Sequence, residues 1–416
     1  MISIGWKNSG KNHGNIAQMT SKLIQVIGVG VAASAGSALA GDLSADPIQA
    51  PASSGGGGDW CETLEDIGKV YTNKKNPYIQ EVKFFGRAHQ QWTYSDGDYN
   101  GSDFSGNGDE LRRLRFGASV EFLNGFKAVG RANFETGGFR DTSIGYDNWD
   151  ELFLEYEFGD VAGFDDVVLG YGRYKIGFGG EERTSSKKIK TVERSNLNNF
   201  FANSRSTGAR LEFSRGKVDF TAGIYTTDGG PETFGQWDGG TAYHLVAEFE
   251  ALGGDVTLQG LYHDQNDAEN DSTVGYDWAV SATYETEIGN WDLFTNATYG
   301  DTQDGDVYGV VIMPSTFLIE DRLEAVVRYQ WAHSTGEQIS AGSGSRGLRR
   351  IAMNDGVNAG KGPAKGNDNH TIYAGLNYYF CDHNLKLMTG VEYETLDGKA
   401  GDTEATTVWG GLRFYF

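Results

Sequence analysis

Eleven basic side chains fall between positions 173 and 217: Arg173, Lys175, Arg183, Lys187, Lys188, Lys190, Arg194, Arg205, Arg210, Arg215 and Lys217. Only Glu181, Glu182, Glu193 and Glu212 oppose them, so the segment carries a net +7 in a chain of formal charge −22. Ammonium and guanidinium groups gathered in a narrow, low-dielectric passage concentrate anions and repel cations, and rings of Arg and Lys are the usual means of selecting phosphate-like solutes. A solvated surface loop is the plainer alternative. Catalytic groupings are missing. The sequence has no HExxH, CxxC or Walker-type glycine-rich motif, and its seven histidines lack metal-ligand spacing. The Asp-rich stretches at 264–271 and 301–306 do not follow EF-hand spacing. No metal, no cofactor and no enzymatic activity are therefore expected.

The elements that must position the basic segment follow from composition and periodicity. Strong net negative charge argues against nucleic acid as a partner, because it repels phosphate backbones. Two cysteines are too few for a disulfide scaffold or a zinc-ribbon protein. Helical membrane proteins need several apolar runs of about 20 residues. The only sustained apolar run here is 23–40, preceded by Lys7, Lys11 and Lys22 and ending in Ala38-Leu39-Ala40. A basic start, a short apolar middle and an A-x-A end make a Sec-type signal peptide over 1–40, with an uncleaved anchor as the alternative. Residues 41–79 read as a periplasmic linker and short helix: Gly55 to Gly58 are flexible, and Trp60 to Val70 have helical character.

From residue 80 to 416 the chain alternates with a period of two. In 125–135, Phe126, Ala128, Gly130, Ala132 and Phe134 share one face, while Lys127, Arg131 and Asn133 share the other. In 323–331, Leu323, Ala325, Val327, Tyr329 and Trp331 oppose Glu324, Arg328 and Gln330. Charges on one face of strand after strand suit a watery lumen. Sixteen such runs can be counted, from 80–94, 110–123, 125–135, 148–158 and 166–175 to 406–416. Short turns such as Asn124-Gly125 and Gly289-Asn290 alternate with long Gly/Asp-rich connections at 95–109, 176–204, 228–240 and 334–369. The reading is an all-β transmembrane antiparallel barrel of about sixteen strands, with short periplasmic turns and long extracellular loops, set in the bacterial outer membrane. Trp92, Tyr94, Trp149, Tyr379 and Phe380 are candidates for interfacial aromatic girdles.

Alternation also assigns candidate lumen residues: Lys83, Arg87 and His89 on the first strand, Arg113 and Arg115 on the second, Lys127 and Arg131 on the third. A charge facing lipid at the midplane would cost about 2–4 kcal/mol, which turns these inward. A second basic group, Arg346, Arg349, Arg350, Lys361 and Lys365, reads as a solvated outer loop. Cys61 and Cys381 both fall on the periplasmic side of such a barrel, where they either form a disulfide pinning the N-terminal segment or remain free thiols.

Gly172-Arg173-Tyr174-Lys175-Ile176-Gly177-Phe178, then Glu181-Glu182, Ser185-Ser186 and Glu193-Arg194-Ser195, resembles the signature of the phosphate-selective porin O and P family. That pattern is a glycine, a strand-end Lys, a Pro-Phe turn and a Glu-Arg-Ser element in the third loop. Asn76-Pro77-Tyr78-Ile79-Gln80 and Phe84-Phe85-Gly86-Arg87 resemble the first strand of such porins, and the terminal aromatic Phe416 resembles the C-terminal assembly signal of outer-membrane proteins. The usual Pro is Gly177 here. The resemblance implies a homotrimer in outer-membrane lipid and lipopolysaccharide, with the connection at about 176–204 lining a constriction and Lys175 and Arg194 guiding small anions. The expected function is passive diffusion of small hydrophilic solutes with a preference for anions, phosphate among them. The alternatives are a general or sugar-tolerant diffusion porin and a barrel adhesin.

Overall fold

The computed structural model describes residues 60–135, 143–203, 205–227, 237, 240–264, 275–341 and 364–416. The expected signal peptide over 1–40, most of the expected linker, and Arg346, Arg349, Arg350 and Lys361 lie outside these residues. A short helix, α1 (Trp60–Asp66), and a short strand, β1 (Lys69–Thr72), precede the barrel strands. The first thirteen are β2 (Ile79–Tyr99), β3 (Ser102–Phe122), β4 (Phe126–Glu135), β5 (Gly145–Val161), β6 (Phe164–Lys175), β7 (Arg205–Arg215), β8 (Val218–Thr226), β9 (Thr241–Ala251), β10 (Gly254–Asp264), β11 (Trp278–Ile288), β12 (Trp291–Thr302), β13 (Gly305–Ile319) and β14 (Leu323–Ser334). A two-stranded ribbon follows, β15 (Ile339–Ser340) with β16 (Lys365–Gly366), and then β17 (Asp368–Cys381), β18 (Leu385–Asp397) and β19 (Thr403–Tyr415) complete the wall. Each wall strand pairs antiparallel with its neighbours, and β19 pairs with β2 to close a sixteen-stranded barrel.

Alternation is visible in exposure. On β14, Val327 is 43% exposed and Arg328 1%. Phe116, Leu154, Leu245, Ile372 and Val408 add to the outer apolar surface. Tyr379 departs from the girdle expectation: it is buried, and its hydroxyl donates to Glu324 Oε2 at 2.6 Å on the lumen side. The expected loop at 95–109 is also corrected. β2 and β3 run on through it and meet at Asn100-Gly101, whose φ angles of 52° and 80° suit a two-residue hairpin turn.

At the end where β2 begins, β19 stops opposite Arg87 and Phe416 bonds to Gly86, leaving the edge of β2 before Gly86 uncovered by β19. β1 continues along this edge, pairing Lys69, Tyr71 and Thr72 with Lys83, Val82 and Glu81. Gly68 accepts from Phe84 N at 2.8 Å, and a Cβ there would meet Phe84 O at 2.0 Å, so only glycine fits. A disulfide joins Cys61 of α1 to Cys381 at the end of β17, with the Cα atoms 5.1 Å apart.

The lumen is not uniformly polar. The β6–β7 connection carries α2 (Gly180–Arg183) and α3 (Asn196–Phe201). Its Ile176, Phe178, Leu197 and Phe201 pack with Phe294 and Val311 of the wall and with Tyr276, just before β11, into a buried apolar core. Ser195 caps α3, its hydroxyl accepting from Asn198 N at 3.1 Å.

Candidate constriction and anion path

Residues 176–203 cross the interior, because their partners lie on strands all round the wall. Gly179 N donates to Gln259 Oε1 of β10 at 2.6 Å. Arg183 pairs with Glu248 of β9 at 2.5 Å. Ser186 accepts from Arg87 Nη1 of β2 at 2.6 Å. Lys190 pairs with Asp292 of β12 at 2.7 Å and with Glu324 of β14 at 2.8 Å. Asn196 donates to Glu394 of β18 at 2.6 Å.

Most of the basic segment is matched by carboxylates. Lys175 and Arg194 converge on Glu182, at 2.8 and 3.3 Å. Arg194 also donates through Nε to Glu181 O at 2.7 Å. Arg205, Arg115 and Arg131 surround Asp150 at 2.8, 3.1 and 2.5 Å, and Arg131 reaches Glu151 at 2.7 Å. Arg210 pairs with Glu155 at 2.7 Å and lies 4.3 Å above the Tyr174 ring. Arg173 is buried and donates through Nε to Trp149 O at 2.7 Å. Lys175, Arg183, Lys190, Arg194, Arg205 and Arg210 of the segment thus each pair with a carboxylate, while the wall adds Arg112, Arg115, Arg131 and Arg328 to the same networks.

Four cations at the crossing of β2, β3 and the connection have no carboxylate in ion-pair contact among the described residues: Lys83, Arg87, Arg113 and Lys187. Arg87 stands directly across from Arg115 of β3 and Tyr415 of β19, and His89 across from Arg113. Lys187 Nζ sits 4.2 Å over the Tyr415 ring. Partial burial, then the charges of Arg87, Arg131, Lys83 and Lys188, push its ammonium down to about 8. Lys188 is exposed and borders a cavity of about 1020 Å³ whose other lining residues include Glu250, Asp255, Glu285 and Asp292. Lys127 is exposed on the same face of β4 as Arg131, and Lys365 stands exposed in β16, away from this group.

Several residues of the site escape an alternation argument. Arg112 Nε donates to Glu193 Oε1 of the connection at 2.7 Å. Strict alternation would turn Arg112 to lipid, but a register shift between His89 and Gln90 puts an extra β3 residue opposite β2 and turns Arg112 inward. Asp150 lies at a similar shift between β4 and β5. Ser186, the hydroxyl partner of Arg87, stands in the Ser185-Ser186 pair, which was the available signal.

The sequence profile of the family described as phosphate-selective porin O and P matches residues 86–318. No curated protein matches the chain. Among solved structures the chain is similar to the outer membrane channel DcaP of Acinetobacter baumannii, at 12% identity and a TM-score of 0.53, covering 83% of this chain and 100% of that one. It is also similar to Pseudomonas putida OprB, at 13% identity and a TM-score of 0.54, covering 86% and 97% of the two chains. A third similar fold is the anion-selective porin from Comamonas acidovorans, at 14% identity and a TM-score of 0.51, covering 80% and 99%. At these identities the likeness is one of fold.

Proposed function

We propose, from the premise that this chain belongs to the phosphate-selective porin O and P family, that its outer-membrane channel favours small anions and takes phosphate among them. The observation that carries this reading is Arg87 on the Ser186 hydroxyl with Lys187 next in the chain, and Lys83 and Arg113 along β2 and β3, none of them with a carboxylate in ion-pair contact among the described residues. The Arg87 guanidinium, the Ser186 hydroxyl and the adjoining Lys187 ammonium match the several oxygens of a tetrahedral oxyanion, and confinement strengthens their attraction. Cations elsewhere along the connection hold it in place through Glu182, Glu248, Asp292 and Glu324, and contribute little net potential. Planar-bilayer recording with a KCl gradient tests the reading: a reversal potential on the chloride side supports it, and one on the potassium side overturns it.

A second reading, general diffusion without ion preference, is favoured by the carboxylates lining the cavity beside Lys188. Equal permeabilities for potassium and chloride would select it. The proposal of an anion channel includes export by a Sec-type signal peptide in 1–40, supported by its basic start, apolar run and Ala38-Leu39-Ala40 end, and assembly as a homotrimer in outer-membrane lipid and lipopolysaccharide, supported by the family resemblance.

A further inference from the structure

The part of the connection that returns across the lumen is held by the wall in an unusual way. Lys386 Nζ of β18 donates to Ile189 O at 2.6 Å, and Asn377 Nδ2 of β17 to Lys190 O at 2.8 Å. Arg413 Nη2 of β19 donates to Val192 O at 2.7 Å, and Arg328 Nη1 of β14 to Glu193 O at 2.8 Å. Four wall side chains thus satisfy four carbonyls of one five-residue stretch that belongs to no helix or strand.

Arg328 differs from the other three because it also reaches the outgoing limb. Its Nη1 lies 3.0 Å from Glu181 Oε1 of α2 and 3.0 Å from Thr191 Oγ1, while Nη2 meets Glu392 of β18 at 2.9 Å. Glu181 in turn accepts from Ser195 N at 3.1 Å, at the start of α3. One wholly buried guanidinium therefore ties together the outgoing limb, the returning limb and the wall. Between the tied limbs lie Ser186 and Lys187.

We propose that Arg328 is a positioning residue: it never faces the solute, yet it fixes the two limbs and so sets the width and charge placement of the constriction. The inference rests on the reading of residues 176–203 as the constriction. A guanidinium suits this role, since its two terminal nitrogens reach acceptors on both limbs and on β18 at once, whereas an ammonium offers a single nitrogen.

The test compares wild type, R328Q, R328K and T191V in planar bilayers, with the heat-modifiable gel band reporting barrel folding. R328Q is expected to keep a folded band, raise single-channel conductance at least about twofold, add open-channel noise, and lower the chloride-to-potassium permeability ratio. R328K is expected to fall between R328Q and wild type, a rescue that barrel stability alone would not produce in the permeability ratio. Folded R328Q with wild-type conductance, noise and ratio overturns the proposal. If R328Q does not fold, T191V decides: it removes the Thr191 hydroxyl's contacts with Arg328 and with Glu193 O while leaving the Arg328 ion pairs to Glu181 and Glu392, so added noise supports the proposal and wild-type recordings overturn it. Failure of the wild-type protein to conduct would instead remove the underlying porin reading.

Discussion

Arg87 on the first barrel strand donates to the Ser186 hydroxyl of the lumenal connection at 2.6 Å, and no carboxylate pairs with it among the described residues. A guanidinium seated on a neutral hydroxyl has no carboxylate cancelling its charge, and Arg87, buried at 7% exposure, acts on the passage through its field. That distinguishes Arg87 and its neighbour Lys187 from Lys175 and Arg194, which share Glu182.

Removing the unpaired charges should change selectivity without unfolding the barrel. R87Q combined with K187Q is expected to lower the chloride-to-potassium permeability ratio by about threefold or more, because the local potential in a confined site scales with its uncompensated charge. Reversal potentials of the folded variant check this, and an unchanged ratio would place the anion path elsewhere.

Lys175 and Arg194 should behave in the opposite manner. K175M leaves Glu182 with one cation fewer in a nearly dry site, and breaking one partner of such a group costs about 3 kcal/mol or more. A lowered unfolding temperature with little change in permeability ratio is the expected outcome, checked by heat-modifiable mobility and by recording.

The Lys187 ammonium, held down to about 8, gives the pore a pH dependence. Below that value the group is charged and draws anions, and above it the group is neutral and the attraction is lost. Chloride preference should therefore fall between pH 6.5 and 9.5. In K187R the charge persists across this range, so its profile should be flat; equal slopes in the two proteins would rule Lys187 out as the titrating group.

The Cys61–Cys381 disulfide ties α1 to the β17–β18 turn, while β1 is hydrogen-bonded to β2, so the covalent link bridges the β19–β2 closing seam. C61S is expected to cost about 2–4 kcal/mol of stability. Intact mass before and after reduction with alkylation checks the bond itself: thiol labelling without reductant would show that it is open.

The wall was legible because each strand faces lipid on one side and lumen on the other, which writes a period of two into the sequence. All sixteen segments follow from it. The run at 95–109 was not legible by that route, since its residues are mostly Ser, Asp, Gly and Asn and alternate no apolar face; the Asn100-Gly101 turn was its signal. Arg112 and Asp150 were hidden by bulges, which reverse alternation locally without a mark in composition. Alternation does turn Arg328 inward, but its partners are 135 to 147 residues away on one side and 64 on the other, a relation only the folded chain reveals. For the same reason the +7 of the basic segment does not by itself give the charge of the crossing. Asp150, Glu248, Asp292 and Glu324, which offset it, come from β5, β9, β12 and β14.

The central claim is that the channel favours anions through Arg87 and Lys187. The most direct measurement is the zero-current potential of the purified wild-type protein and of R87Q/K187Q in planar bilayers under the same KCl gradient. The account predicts a chloride-selective potential for wild type that moves toward zero or to the potassium side in the variant. A wild-type potential already on the potassium side, or one that the double substitution leaves in place, would contradict it.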